Sequence, residues 1–234
     1  MTLQLPLDLS LSQGRYFKNY FAGKNDPLVQ QLTQAIAQGS EQFVYLCGNP
    51  GVGKTHLLLA ACHYMGQLAR PVSFICLQQH KEYGPAILED MQAVDLLCID
   101  NVHAVAGDDR WERALFNLYN VLRDSGVPLI VSAKFVPNAS AFNLQDLVSR
   151  FNWGLTIKLQ ELADEDKIKA MQLRADDKGI ELSVEVAQYM FKRCPRDMHA
   201  LFELLDRLDY QSLASQRKLT VPFVKSVIEG DAAV

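Results

Sequence analysis

Residues Gly48-Asn49-Pro50-Gly51-Val52-Gly53-Lys54-Thr55 spell G-x-x-x-x-G-K-T, with His56 immediately after. Glycines at this spacing let the backbone wrap so that successive N–H groups point inward at a phosphate. Lys54 adds a point charge near the β- and γ-phosphates, and the Thr55 hydroxyl can sit on Mg²⁺. Further along, Asp100 ends the apolar run Leu96-Leu97-Cys98-Ile99. An acid placed there in a phosphate-loop protein orders Mg²⁺ and its waters, so Thr55 and Asp100 are the candidate metal ligands. ATPases with a helical lid usually follow that acid with a second one that polarises the attacking water. Here the next residue is Asn101, whose amide can orient a water but cannot take its proton. General acid–base assistance is worth ~10²–10⁴ in rate, so weak or no intrinsic ATPase is expected.

The elements that must hold these residues can be read from periodicity. Phe43–Cys47 is a strand before the loop. Leu57, Ala60, Ala61, Tyr64, Met65 and Leu68 recur at helical spacing after it, so a helix runs from Lys54 to Leu68 and points its positive end at bound phosphate. Val72–Leu77, Asp95–Asp100, Pro128–Ser132 and Leu155–Leu159 read as further strands. Helices are expected over 87–92, 109–123 and 144–151. Alternating strands and helices predict a parallel sheet with helices on both faces. From Glu161 no strand pattern remains. Asp164, Ser183 and Asp197 read as starts of three helices and Thr220 as the start of a fourth, which gives an all-α domain. The expected organisation is an N-terminal tail (1–14), an α/β nucleotide-binding domain (15–160) and an α-helical lid (161–234).

Composition narrows the function classes. The 234 residues are 49% hydrophobic and 21% charged, with net charge −4 and pI near 5.7. A strong direct grip on DNA is not expected of such a chain. Apolar runs fall far short of the ~20 residues that span a bilayer, and the first residues lack a signal-peptide pattern. No membrane association and a cytoplasmic location are expected. The five cysteines form no C-x-x-C pair and read as small buried hydrophobes in a reducing compartment.

Four features together resemble one family. They are the phosphate loop continuing into His56-Leu57-Leu58, the stretch Leu97-Cys98-Ile99-Asp100-Asn101 with Ala106-Gly107, the stretch Ser149-Arg150-Phe151-Asn152-Trp153-Gly154-Leu155, and the helical lid. They look like the AAA+ module of the bacterial replication initiator DnaA, over nearly the whole chain from Tyr16 to Ile228. The initiator continues into a helix-turn-helix DNA-binding domain, which this sequence does not show. A free-standing module of this kind resembles the family's regulators, which act with the DNA polymerase sliding clamp on the ATP-bound initiator.

The resemblance implies an AAA+ P-loop NTPase fold, with a parallel sheet sandwiched by helices and followed by a small all-α lid. It also implies that nucleotide is held by Gly48 to His56, Asp100, Asn101, Ser132 and His199. Arg150 is then an arginine finger presented in trans to a neighbour's γ-phosphate, a contribution worth ~10³–10⁵ in rate. Gln4-Leu5-Pro6-Leu7-Asp8-Leu9 resembles the short sliding-clamp-binding motif, with Leu5, Leu7 and Leu9 entering an apolar groove and the Gln4 amide fixing register. Two departures stand out. Lys134 takes the place of the family's sensor acid, and His199 stands where the lid usually offers an Arg, with Arg196 one turn earlier. The aromatic pair Tyr20-Phe21 falls where the family packs near the base.

The implied function is a nucleotide-bound AAA+ regulator that docks on the sliding clamp (beta subunit) and stimulates hydrolysis of DnaA-bound ATP, preventing re-initiation of replication. ADP or another nucleoside diphosphate with Mg²⁺ is the implied cofactor, with ATP the alternative. DnaA and the clamp are the implied partners, and self-association through the AAA+ interface is a further option. The competing reading is an autonomous AAA+ ATPase acting as a DnaC-like helicase loader. Asn101, Lys134 and His199 argue against it.

Overall fold

The computed structural model describes residues 14–231, so Gln4, Leu5, Leu7 and Leu9 lie outside the described residues. The chain forms two compact units. One takes in the described chain up to Tyr20, Leu28–Gly48 and Gly53–Leu159. The other takes in Phe21–Pro27, Asn49–Val52 and the described chain from Gln160.

The first unit is built on five strands: β1 (Phe43–Cys47), β2 (Val72–Cys76), β3 (Leu96–Asp100), β4 (Leu129–Ala133) and β5 (Leu155–Lys158). They pair in the order β2-β3-β4-β1-β5, all parallel. Every residue of β1, β3 and β4 is buried, which is why they read as unbroken apolar runs rather than alternating ones. Helices α1 (Asp26–Gln38), α2 (Lys54–Gln67), α3 (Asp109–Ser125) and α4 (Gln145–Phe151) complete the unit.

Strand parity decides which residues meet. Phe43, Tyr45, Cys47, Leu97, Ile99, Leu129, Val131 and Ala133 point to one face and form a single core with Trp111, Leu115, Leu118 and Leu122 of α3 and Leu147 and Phe151 of α4. The even-numbered residues of β3 and β4 point to the other face, where α2 packs and the Cys98 thiol meets the Leu58 carbonyl at 3.7 Å. Asp100 and Ser132 therefore share the α2 face, at the carboxyl ends of adjacent strands. In open parallel sheets that edge is where ligands bind.

Local chemistry sets the element ends. Asp108 caps α3 by accepting from the N–H groups of Arg110 and Trp111, and Gly126, with φ +72°, terminates it. The expected helix over 87–92 is absent. Three short 3-10 turns occupy 77–93, because Pro85 starts one and Asp90, with φ +59°, interrupts the run. Helix α1 was not foreseen; its buried stripe is only Val29, Leu32 and Ala35 among glutamines.

The second unit packs α5 (Asp164–Asp177), α6 (Val184–Arg193), α7 (Met198–Ser215) and α8 (Val221–Asp231) around Met171, Ala187, Met190, Leu201, Leu205, Leu208 and Val224. Ser183 caps α6 through the Val186 N–H, and Asp197 caps α7 through the Ala200 N–H. Asp164 is not a cap. It is the first helical residue of α5, after an Ala163 that makes no side-chain cap bond, and it stabilises the helix as one of three acids in the first turn. Among the described residues no helix is long and apolar enough to cross a membrane.

Candidate functional site

The loop after β1 has the backbone that its glycines predict. Gly51 and Gly53 have φ of +81° and +90°, a region that strains any other residue. At Gly53 a Cβ would also run into the Tyr20 ring, so the glycine is needed twice over. Lys54 opens α2 almost fully buried, and its ammonium donates to the Gly48 carbonyl at 2.7 Å, spanning the loop it serves. Burial pulls its pKa down, while the Asp100 carboxylate nearby opposes that shift. A phosphate bound beside it would supply opposite charge that favours the ammonium form, so the site suits an anion.

Asp100 is the hub of the first unit's polar cluster and is nearly fully buried. Its Oδ2 accepts from Thr55 Oγ1 at 2.7 Å and from Asn101 Nδ2 at 3.1 Å, and its Oδ1 accepts from Ser132 Oγ. Ser132 Oγ in turn accepts the Asn101 backbone N–H at 2.9 Å. Thr55 and Asp100 offer a hydroxyl and a carboxylate side by side, a donor pair of the kind Mg²⁺ takes together with phosphate oxygens. Asn101 lies in the left-handed region (φ 61°, ψ 45°), a conformation asparagine tolerates better than most residues. That turn folds its amide back onto Asp100. Lys134 follows β4, and its charge reaches both Lys54 and His103. His103, which the sequence reading missed, lies on the 3-10 turn after Asn101. Burial, with Lys54 and Lys134 adding to it and the Asp100 carboxylate opposing, lowers the pKa of its imidazole from the ordinary value. Its Nδ1 is buried without a hydrogen bond among the described residues.

Two histidines on α2 anchor the chain that precedes it. His56 Nε2 meets the Tyr16 carbonyl at 2.9 Å and His63 Nδ1 meets the Arg15 carbonyl at 2.7 Å. A carbonyl can only accept, so each of these nitrogens carries the proton. Tyr16 rests on the His63 ring (4.9 Å) and Tyr20 on the His56 ring (5.4 Å). Burial pushes the Tyr20 hydroxyl up to about 12. His56 thus holds the N-terminal segment in place.

Arg150 lies at the end of α4, half-buried, with its guanidinium 5.0 Å from the centre of the Trp153 ring and 5.8 Å from that of Phe116. Aromatic faces hold the planar cation in place without neutralising it.

In the second unit, Asn49 donates to the Glu161 carboxylate at 2.7 Å, and a Cβ on Gly51 would come within 2.7 Å of Asp197 Oδ1. Val52 is buried there, Pro50 is exposed, and Phe21 packs on the helical core. His199, the expected sensor, has an exposed side chain 3.3 Å from Glu203 one turn on. Arg196 pairs with Asp164 at 3.0 Å.

Comparison with known proteins agrees with this geometry. Residues 11–158 match the bacterial DnaA ATPase domain family, and residues 164–228 match the Hda lid domain. Among solved structures, the chain is similar to domain III of the Thermotoga maritima replication initiation protein DnaA, with TM-score 0.79 and 22% identity over 92% of this chain and 96% of that one. AMPPCP-bound DnaA from Aquifex aeolicus matches with TM-score 0.68 and 22% identity, over 83% and 64% of the two chains. The Thermotoga maritima RuvB Holliday junction branch migration motor matches with TM-score 0.63 and 20% identity, over 87% and 67%. At these identities the structural likeness is one of fold.

Proposed function

Because the chain belongs to the bacterial DnaA ATPase domain family and carries an Hda-type lid, we propose that it is a nucleotide-bound regulator acting on the replication initiator itself. It holds ADP or another nucleoside diphosphate on Lys54 and the loop amides, with Mg²⁺ on Thr55 and Asp100. It docks on the DNA polymerase sliding clamp through Gln4, Leu5, Leu7 and Leu9. It presents Arg150 to ATP bound by DnaA and stimulates its hydrolysis, which prevents re-initiation.

The observation that carries this reading is the contrast between the chain's own site and Arg150. In its own site the residue after Asp100 is an amide folded back onto that carboxylate, so it offers no base to an attacking water. Arg150, by comparison, is positioned by two aromatic rings and keeps its charge for an incoming anion. Charge developing on a transferred γ-phosphoryl group is what such a cation stabilises. The helicase-loader reading needs turnover in cis, which Asn101 does not favour.

The test is turnover of DnaA-bound ATP with sliding clamp loaded on DNA. Wild type should stimulate turnover. Arg150→Ala should lose at least ~10³ of that stimulation while keeping its own nucleotide. Changing Gln4, Leu5 and Leu7 to Ala should lose stimulation only where the clamp is required. Full stimulation by Arg150→Ala would refute the finger assignment.

A further inference from the structure

Glu112 is fully buried within the first unit, 0% exposed, yet the atoms around its carboxylate are backbone amides rather than a cation. Oε1 accepts from the Gly107 N–H at 2.6 Å and the Asn143 N–H at 3.1 Å, and Oε2 accepts from the Leu144 N–H at 2.6 Å. Burying a carboxylate is costly unless such bonds replace its water, so a site of this kind is built rather than incidental. Its two ends belong to different parts of the chemistry. Leu144 is the residue from which α4 starts, and its own side chain offers no cap. Gly107 closes the loop that leaves Asp100.

That loop is itself tied from end to end. Ser132 holds the Asn101 N–H. Ala104 donates to the Asn101 carbonyl at 2.9 Å, Ala106 to that of His103 at 3.3 Å, and Asp108 to that of Val105 at 3.2 Å. Helix α3 also touches α4 a second time, because Phe116, one turn beyond Glu112, is one of the two rings under Arg150. A continuous bonded path therefore runs from Asp100 through the loop to Glu112, and from there through α4 to Arg150.

We infer that Glu112 is a positioning residue that pins α4, and with it Arg150, to the loop leaving Asp100, so that the guanidinium is presented at a fixed place relative to the phosphate site. This rests on the reading of Arg150 as acting in trans. Glutamine at this position keeps one acceptor oxygen but turns an N–H₂ toward amides that need acceptors, which loosens the start of α4.

The experiment compares wild type, Glu112→Gln, Glu112→Asp and Arg150→Ala in the DnaA-bound ATP assay, with acrylamide quenching of tryptophan fluorescence alongside. The chain has two tryptophans. Trp111 is 2% exposed and Trp153 is 68% exposed, so the quencher reports Trp153, the residue that stacks on Arg150. Glu112→Gln is expected to lower the maximal stimulated rate roughly tenfold, with the half-maximal concentration within about twofold of wild type. It is also expected to raise quenching at Trp153 at a temperature where both proteins are folded. Glu112→Asp keeps the charge but is shorter, and should fall between the two; it carries the quenching measurement if the glutamine variant does not fold. If Glu112→Gln folds and shows wild-type maximal rate and quenching, the inference is overturned while Arg150→Ala still reports the finger. A raised half-maximal concentration at unchanged maximal rate would make Glu112 a docking residue and also overturn it. If Arg150→Ala is fully active, the trans reading fails and this inference falls with it.

Discussion

Replacing Ser132 by Ala removes a single oxygen, and its effect can be worked out from the contacts of that atom. Ser132 Oγ, on a fully buried residue, donates to Asp100 Oδ1 and accepts the Asn101 N–H at 2.9 Å. A hydrogen bond to a charged group is worth about 1.5–3 kcal/mol, and a stranded buried N–H costs about 1–3 kcal/mol. Part of this returns as the left-handed turn at Asn101 relaxes, so a net loss of about 3 kcal/mol is expected. For a unit of this size that lowers the melting temperature by roughly 6–12 °C. Urea unfolding followed by Trp111, which is buried in the α3 core, reads the loss directly. Asp100→Asn should destabilise the same unit. Because Asp100→Asn removes the charge that strengthens the bond from Ser132, and Ser132→Ala removes that bond, the double variant should cost less than the sum of the singles. A loss below about 0.5 kcal/mol for Ser132→Ala, or strict additivity with Asp100→Asn, would refute the view of Asp100 as the hub of one buried network.

Two further outcomes follow from geometry outside the site. Gly154→Ala should destabilise the first unit by about 2 kcal/mol or more in equilibrium unfolding, since the new Cβ would overlap the Phe43 carbonyl oxygen and sit 2.9 Å from the carbonyl carbon, and backbone at a strand pair cannot step aside cheaply. Tyr45, buried and donating to the Phe135 carbonyl at 3.1 Å, has its hydroxyl pKa raised from 10.0 to about 12 by burial. A raised folded-state pKa gives stability that is complete below pH 10 and is lost as pH rises from 10 to 12, because only the unfolded chain ionises there. The wild type should lose about 2–3 kcal/mol more across that window than Tyr45→Phe, read as melting temperature against pH.

Much of this architecture is visible in the sequence because it rests on local rules. The G-x-x-x-x-G-K-T loop, the unbroken strands around Tyr45, Ile99 and Val131, and the Ser183 cap each need only a few neighbouring residues to specify them. What escaped depends on contacts between distant segments or on single backbone angles. Glu112 follows a tryptophan in a charged stretch and looks solvated; the clue was that it falls on the same helical stripe as Leu115 and Tyr119. The direction of the Asn101 amide depends on one left-handed residue, which no pattern announces. The short turns at 77–93 came from Pro85 and from Asp90 at φ +59°, where a helix over 87–92 was expected. His103 gave no signal at all, since its environment is made by Lys54 and Lys134 from other strands and helices.

The pair of histidines on α2 has a consequence of another kind. By holding the carbonyls of Arg15 and Tyr16, they tie the backbone of these two residues to the same helix that opens with Lys54 and Thr55. Eleven residue steps separate Gln4 from Arg15, and a chain can extend at most ~3.3–3.6 Å per residue, so Gln4 lies within about 40 Å of Arg15 whatever path the chain takes. If the proposed docking through Gln4 and its leucines holds, the bound clamp is met within that radius of Arg15. Such tethering corresponds to a local concentration on the order of millimolar, enough to make a weak second contact effective. Residues inserted between Gln4 and Arg15 would dilute that concentration.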